Sequence, residues 1–208
     1  MSQPSLLSSL FSWLRRRTAA PGSAPAPSPR LPVRAGSGSE PMIAWGASVP
    51  DAFKRKVIAI SRRLDMKPDH LMAIMAFETG RSFDPSITNR AGSGATGLIQ
   101  FMPATAKALG TTTARLATMS ALDQLDYVER YLAPYAGRMG DLDSAYMAVL
   151  YPRAVGKEPG HVLFRKGSVA YKQNRGLDAN GDGTVTKAEA AARVRALLTE
   201  GMRPGLIG

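Results

Sequence analysis

A mainly α-helical protein is what this sequence predicts, and three observations carry that expectation. Apolar residues recur at helical spacing in several long stretches. Pro and Gly sit where such stretches should begin and end. No alternation of Val, Ile and aromatic residues runs long enough for a substantial sheet. At 208 residues the chain can hold one full core plus appendages. The absence of cysteine excludes a disulfide framework and thiol chemistry, and the net charge of +11 favours anionic surfaces such as wall polymers or outer leaflets. No nucleic-acid-binding motif accompanies that charge.

Residues 1–41 differ from the rest, with seven prolines, five arginines and acid only at Glu40, and they read as a disordered arm. Within the arm, Leu6, Leu7, Leu10, Phe11 and Leu14 share one helical face ahead of Arg15, Arg16 and Arg17. That run is too short and serine-rich to span a bilayer. Its positive cluster follows the apolar run, unlike a secretory signal. It suits a docking helix for a partner such as a virion structural protein, or an anchor on an anionic membrane surface; a solvated leader is the plainer reading.

The next informative stretch, KPDHLMAIMAFETG, reads as a helix of about a dozen residues opened by Pro68 and stopped by Gly80. Leu71, Ile74, Met75 and Glu78 fall at i, i+3, i+4 and i+7, so a carboxyl lies on an apolar stripe and is expected to face inward. Burial favours the protonated carboxyl and fits a Glu to general-acid work near neutral pH. A Glu at a helix end can also be merely solvated or a cap. Downstream, GSGATGLIQ places Gly92, Gly94 and Gly97 within six residues, which lets backbone approach a ligand, and Gln100 adds an amide suited to sugar hydroxyls or N-acetyl groups. Pro103 opens another helix, PATAKALG, closed by Gly110. SALDQLDYVERYLAPYAG is a further helix, with Ser120 as cap, Asp123 at the capping-box position, and Leu122, Leu125, Val128 and Leu132 on one side.

An acid on a helix, a glycine-rich turn, an amide and a second helix together resemble the soluble lytic transglycosylases of the goose-lysozyme-like superfamily. E-T-G, GLIQ and FMPATA stand for the family's Glu-Ser, Gly-Leu-Met-Gln and Met-Pro-x-Thr-Ala segments, and AYMAV for its Ala-Tyr-Asn-Ala-Gly. The resemblance spans roughly residues 50 to 155. It implies a lysozyme-like fold, Glu78 as catalytic acid, Tyr146 as the residue that orients it, and substrate contacts from Thr79, Gly97, Gln100 and Met102. Met147 and Val149 replace the motif's Asn and Gly, which puts contacts from that loop in doubt.

A single carboxylate is unusual for glycan cleavage, where two commonly flank the scissile bond. Peptidoglycan supplies an alternative: the MurNAc acetamido carbonyl supports charge at C1 and the C6 hydroxyl of the same sugar attacks it, giving a 1,6-anhydro end without water. Asp84 in SFDPS is the candidate base for an ordinary hydrolytic muramidase, although it looks more like a turn residue before Pro85. A third reading is an inactive glycan-binding structural virion protein.

The last signal is DANGDGTVTKAE, residues 178–189, which fits the twelve-residue EF-hand loop. Asp178, Asn180 and Asp182 offer side-chain oxygens, Gly183 the sharp turn, Thr184 a backbone carbonyl, Thr186 a water-mediated ligand and Glu189 a bidentate carboxylate for a structural Ca2+. Thr186 and Glu189 also form a capping box for the helix that follows. The entering segment SVAYKQNRG is short, with Gly176 as its expected stop, and no second EF-hand is present to pair with this one. His70 and His161 lack metal-ligand spacing.

The expected architecture is therefore a disordered arm (1–41), a lysozyme-like helical domain (48–160) and an EF-hand-like helix-loop-helix appendage (161–208). The expected function is cleavage of the MurNAc-GlcNAc β-1,4 bond by a phage- or prophage-derived protein, virion-associated or phage-delivered and acting on the host wall in the periplasm.

Overall fold

The computed structural model describes residues 41–89 and 92–208, so the expectations for the arm, including its amphipathic segment, lie outside the described residues. Ten regular elements follow in order: α1 (Asp51–Arg63), α2 (Pro68–Glu78), α3 (Pro103–Ala108), α4 (Thr113–Ala117), α5 (Ala121–Leu132), α6 (Leu142–Leu150), β1 (Val162–Arg165), α7 (Val169–Asn174), β2 (Thr184–Thr186) and α8 (Lys187–Gly201).

Helix α2 begins with Pro68 in its first turn and ends at Glu78, with Gly80 left-handed just beyond. The sequence predicts one apolar stripe. The structure instead buries α2 on nearly every side, His70 through Ala76 included, because α1, α6 and α8 surround it. The other helix boundaries follow local chemistry. Ser120 accepts from the Asp123 amide and donates to its carboxylate at 2.7 Å, and Asp141 accepts from the Ser144 amide at 2.7 Å to start α6. Each such cap stabilises a helix start by roughly 0.5–2 kcal/mol.

Strands β1 and β2 form a two-stranded antiparallel sheet in which Phe164 faces Val185. Both side chains are buried. β2 lies within the second half of the 178–189 loop and ties that loop to β1. Gly176 is not the stop expected of it: α7 ends at Asn174 and the chain continues as a 3-10 turn through Arg175–Leu177.

The division at residue 160 is not a division of the core. Leu163, Phe164, Val185, Ala190, Val194 and Leu197 belong to the same hydrophobic cluster as Leu71 and Met75. The physical reason is that α2, apolar all round, needs a third covering helix, and α8 has the apolar face to supply it. The core also begins before residue 48. Ile43, Ala44 and Trp45 are buried, Ile43 exchanges backbone hydrogen bonds with Gly208, and the Trp45 indole donates to the Leu197 carbonyl at 3.0 Å.

Gly201 is a close fit in this clasp: a Cβ there would lie 2.3 Å from the Trp45 ring. Gly201→Ala should therefore lower stability by about 1–3 kcal/mol through overpacking, read by chemical denaturation. An unchanged denaturation midpoint would show that the Trp45 ring moves aside freely.

Candidate active site

Glu78 is the last residue of α2 and only 2% exposed, and its Oε2 has no hydrogen-bond partner among the described residues. Burial pushes its pKa well above the ordinary 4.5. The negative end of the helix dipole at the same point acts in the same direction. Among the described residues no other Asp or Glu is buried.

The chain leaves Glu78 through a turn of unusual backbone: Gly80, Arg81 and Phe83 all have positive φ. Two non-glycine residues in the left-handed region carry strain that tertiary contacts must hold. Phe83 is held by packing against Trp45 and Phe53, and Arg81 by two bonds to the Glu200 carboxylate, at 2.8 and 2.7 Å. The Thr79 hydroxyl, expected to meet substrate, donates to the Met75 carbonyl at 2.7 Å and accepts from the Phe83 amide at 3.0 Å, which helps to end the helix. Asp84 is exposed and caps its own turn, accepting from the Ser86 amide and hydroxyl at 2.8 and 2.7 Å. The Ser86 hydroxyl bond, with the amide bond after it, holds the Asp84 pKa below the ordinary value.

In the glycine-rich turn, a Cβ at Gly97 would lie 2.2 Å from Gln124 Oε1, so the missing side chain admits a neighbouring carboxamide. Gln100 is left-handed and 5% exposed, and its amide nitrogen donates to the Ile87 and Gly97 carbonyls at 3.2 and 3.1 Å. Gln100 and Met102 line a pocket that also includes Tyr131 and Val149.

Two tyrosines lie within electrostatic reach of the acid. The Tyr146 pKa is raised first by burial and then by the Glu78 charge, and its ring stands edge-on to Phe77 at 5.7 Å. No hydrogen bond joins it to Glu78, so its influence on the acid is through packing and polarity rather than a direct tether. Tyr131, which motif reading did not single out as a site residue, is raised by burial, then by Tyr135 and Glu78. Its hydroxyl donates to the Ala148 carbonyl at 2.9 Å, tying α5 to the AYMAV segment. A buried Tyr on a helix looks like core from sequence alone, which is why that signal was missed. Met147 and Val149 are buried, and Val149 puts a branched side chain into the pocket wall.

The 178–189 loop is a separate cluster. Asp178 accepts from the Gly181 and Gly183 amides and from the Tyr171 hydroxyl at 2.6 Å, and that last bond is the main cause of its lowered pKa. Asn180 accepts from the Asp182 amide, and Asp182 from the Thr184 amide and hydroxyl. Glu189 spans the loop, accepting from Ala179 at 3.2 Å and Thr186 at 2.8 Å, which completes the capping box with Thr186. Among the described residues no three His, Asp or Glu side chains already converge as a metal cluster.

Residues 56–146 match the family model of the Transglycosylase SLT domain. Members of that family are lytic transglycosylases, so this chain is a peptidoglycan-cleaving enzyme of the lyase type, with glycan strands as its substrate. The matched stretch runs from α1 to Tyr146 and holds Glu78, the glycine-rich turn and Gln100. No curated protein and no solved structure matches the chain.

The raised Glu78 pKa has a stability consequence. As pH rises above 4.5 the unfolded chain releases a proton that the folded chain still holds, so stability falls from there up to the folded-state pKa. Glu78→Gln cannot ionise, and its melting temperature relative to wild type should rise across that window in scans from about pH 4 to about pH 8. A difference constant with pH would mean that Glu78 is not held protonated.

Proposed function

We propose that Glu78 works alone, first as acid and then as base, on the MurNAc-GlcNAc β-1,4 bond. The protonated carboxyl gives its proton to the glycosidic oxygen as the C1–O bond breaks, while the substrate's own acetamido carbonyl supports the charge at C1. The C6 hydroxyl then bonds to C1 and returns its proton to Glu78, so no water is consumed. The observation that carries this reading is the buried Glu78 carboxyl with an unpartnered oxygen and no second buried carboxylate among the described residues. Asp84, exposed and committed to Ser86, is poorly suited to be the base of a hydrolytic muramidase.

Glu78→Gln should abolish murein cleavage in a zymogram with the fold retained, because the amide is nearly isosteric and has no proton to give. Mass spectrometry of wild-type digests should find fragments one water lighter than hydrolytic products. Near-normal cleavage by the variant, or reducing ends alone, would overturn the assignment.

We further propose that the 178–189 loop holds a structural Ca2+. Asp178, Asn180 and Asp182 would bind through side chains, Thr184 through its carbonyl, Thr186 through water and Glu189 through both oxygens. The donor set supports this: it is all oxygen, and the Asp178 and Asp182 pKa values are lowered, the latter chiefly by the Thr184 hydroxyl bond. The bonds these carboxylates make to loop amides leave lone pairs free for a cation. Excess Ca2+ should raise the melting temperature of the wild type, and Asp178→Ala or Glu189→Ala should remove that increment. Equal melting with Ca2+ and with chelator would defeat the proposal.

For delivery, we propose a phage- or prophage-derived protein carried to the wall with a virion and acting in the periplasm, docked through its basic arm to a virion protein or anionic membrane. What supports this is the pairing of a murein-cleaving domain with a calcium-type loop, and the arginine cluster behind an apolar face in the arm.

A further inference from the structure

Gln124 lies in α5 and is wholly buried. A carboxamide offers one oxygen and two N–H groups, and here both ends are committed to backbone. Its Oε1 accepts from the Leu98 amide at 2.6 Å, and its Nε2 donates to the Pro85 carbonyl at 3.1 Å and to the Leu116 carbonyl at 2.9 Å. Those three backbone groups belong to three segments distant in sequence. Pro85 ends the strained turn that leaves Glu78, Leu98 sits in the glycine-rich turn, and Leu116 lies in α4. Gly97, left-handed at φ +85°, packs directly on the carboxamide, where a Cβ would collide with all three of its polar-end atoms. Among the described residues the turn's other long-range hydrogen bonds both go to the Ile87 carbonyl, from the Gly97 amide and the Gln100 side chain, so Gln124 is the hydrogen-bonded tie that joins it to the helical frame.

We propose that Gln124 is a positioning residue for the transglycosylase reaction: it fixes the turn after Glu78 and the glycine-rich turn in one frame, so that residues 99–102 hold the wall of the pocket they share with Tyr131. The inference rests on Glu78 being the catalytic acid. Residues 99–102 share the pocket with Tyr131 and Val149, and the same carboxamide holds Pro85 in the chain that follows Glu78, so losing it loosens both that pocket wall and the chain around the acid. Water admitted there lowers the acid's pKa toward its solution value. Only an amide does this work. Methionine fills a similar volume but leaves the buried Leu98 N–H unpaired, and glutamate lacks both donors and would bury a charge.

The test measures murein cleavage by the full chain, as kcat, KM and pH profile, for wild type, Gln124→Met, Gln124→Asn and Leu163→Ala, a buried residue of β1, as a destabilised control. Gln124→Met should lose roughly ten- to a hundredfold in kcat, the scale expected of a small misplacement of catalytic groups, and its alkaline limb should move to lower pH. Gln124→Asn, which keeps donor and acceptor on a shorter stem, should recover part of both. Leu163→Ala should melt earlier through the lost core packing yet keep the wild-type kcat and limb. A Gln124→Met enzyme with wild-type kcat and limb overturns the proposal. If Gln124→Met does not fold, Gln124→Asn decides: a limb moved to lower pH supports the proposal and an unmoved limb overturns it. Continued cleavage by Glu78→Gln would instead overturn the acid assignment, and the positioning role with it.

Discussion

Burial of one carboxyl at the end of a central helix is the constraint around which this protein is organised. A charged glutamate in that position would lose its hydration without gaining a partner, so the neutral acid is the form the fold accommodates. That is the form in which the proton is ready to be given. The arrangement costs stability as pH rises, and it requires walls on every side of α2. Three helices supply them, and the turn that follows Glu78 is bent through left-handed residues to bring the chain back around the site.

The wall supplied by α8 ties the two sequence signals together. The capping box that starts α8 lies inside the 178–189 loop, while its far end meets Arg81 and Trp45. Near its start, Lys187, buried, donates to the Ser144 hydroxyl at 2.7 Å, and Arg195 pairs with Asp143, so the N-terminal turn of α6 is held from the same helix. The 178–189 loop is thus attached through α8 to the helices that bury the acid.

The glycine-rich turn shows how packing reassigns a residue that chemistry alone would give to the ligand. Gly92, Gly94 and Gly97 all take positive φ, as a tight turn needs. At Gly97 the space so freed is filled by Gln124, and at Gly94 by the Pro103 ring, 3.2 Å from where a Cβ would stand. The turn is compact at Gly94 and Gly97 because both face protein.

The sequence by itself determined what depends on neighbours along the chain. Pro68, Ser120, Asp141 and the Thr186–Glu189 box act within one helical turn, so their elements begin where the residue types say. The inward-facing acid was legible for the same reason, since i, i+4 and i+7 spacing fixes a face without knowledge of what covers it. What covers it was decided only by tertiary structure. Gly97 closing on Gln124, Tyr131 reaching the acid's surroundings and α8 joining the same core all depend on groups brought together across gaps of sequence. A buried polar atom takes whichever partner the packing provides. No spacing rule along the chain carries that information.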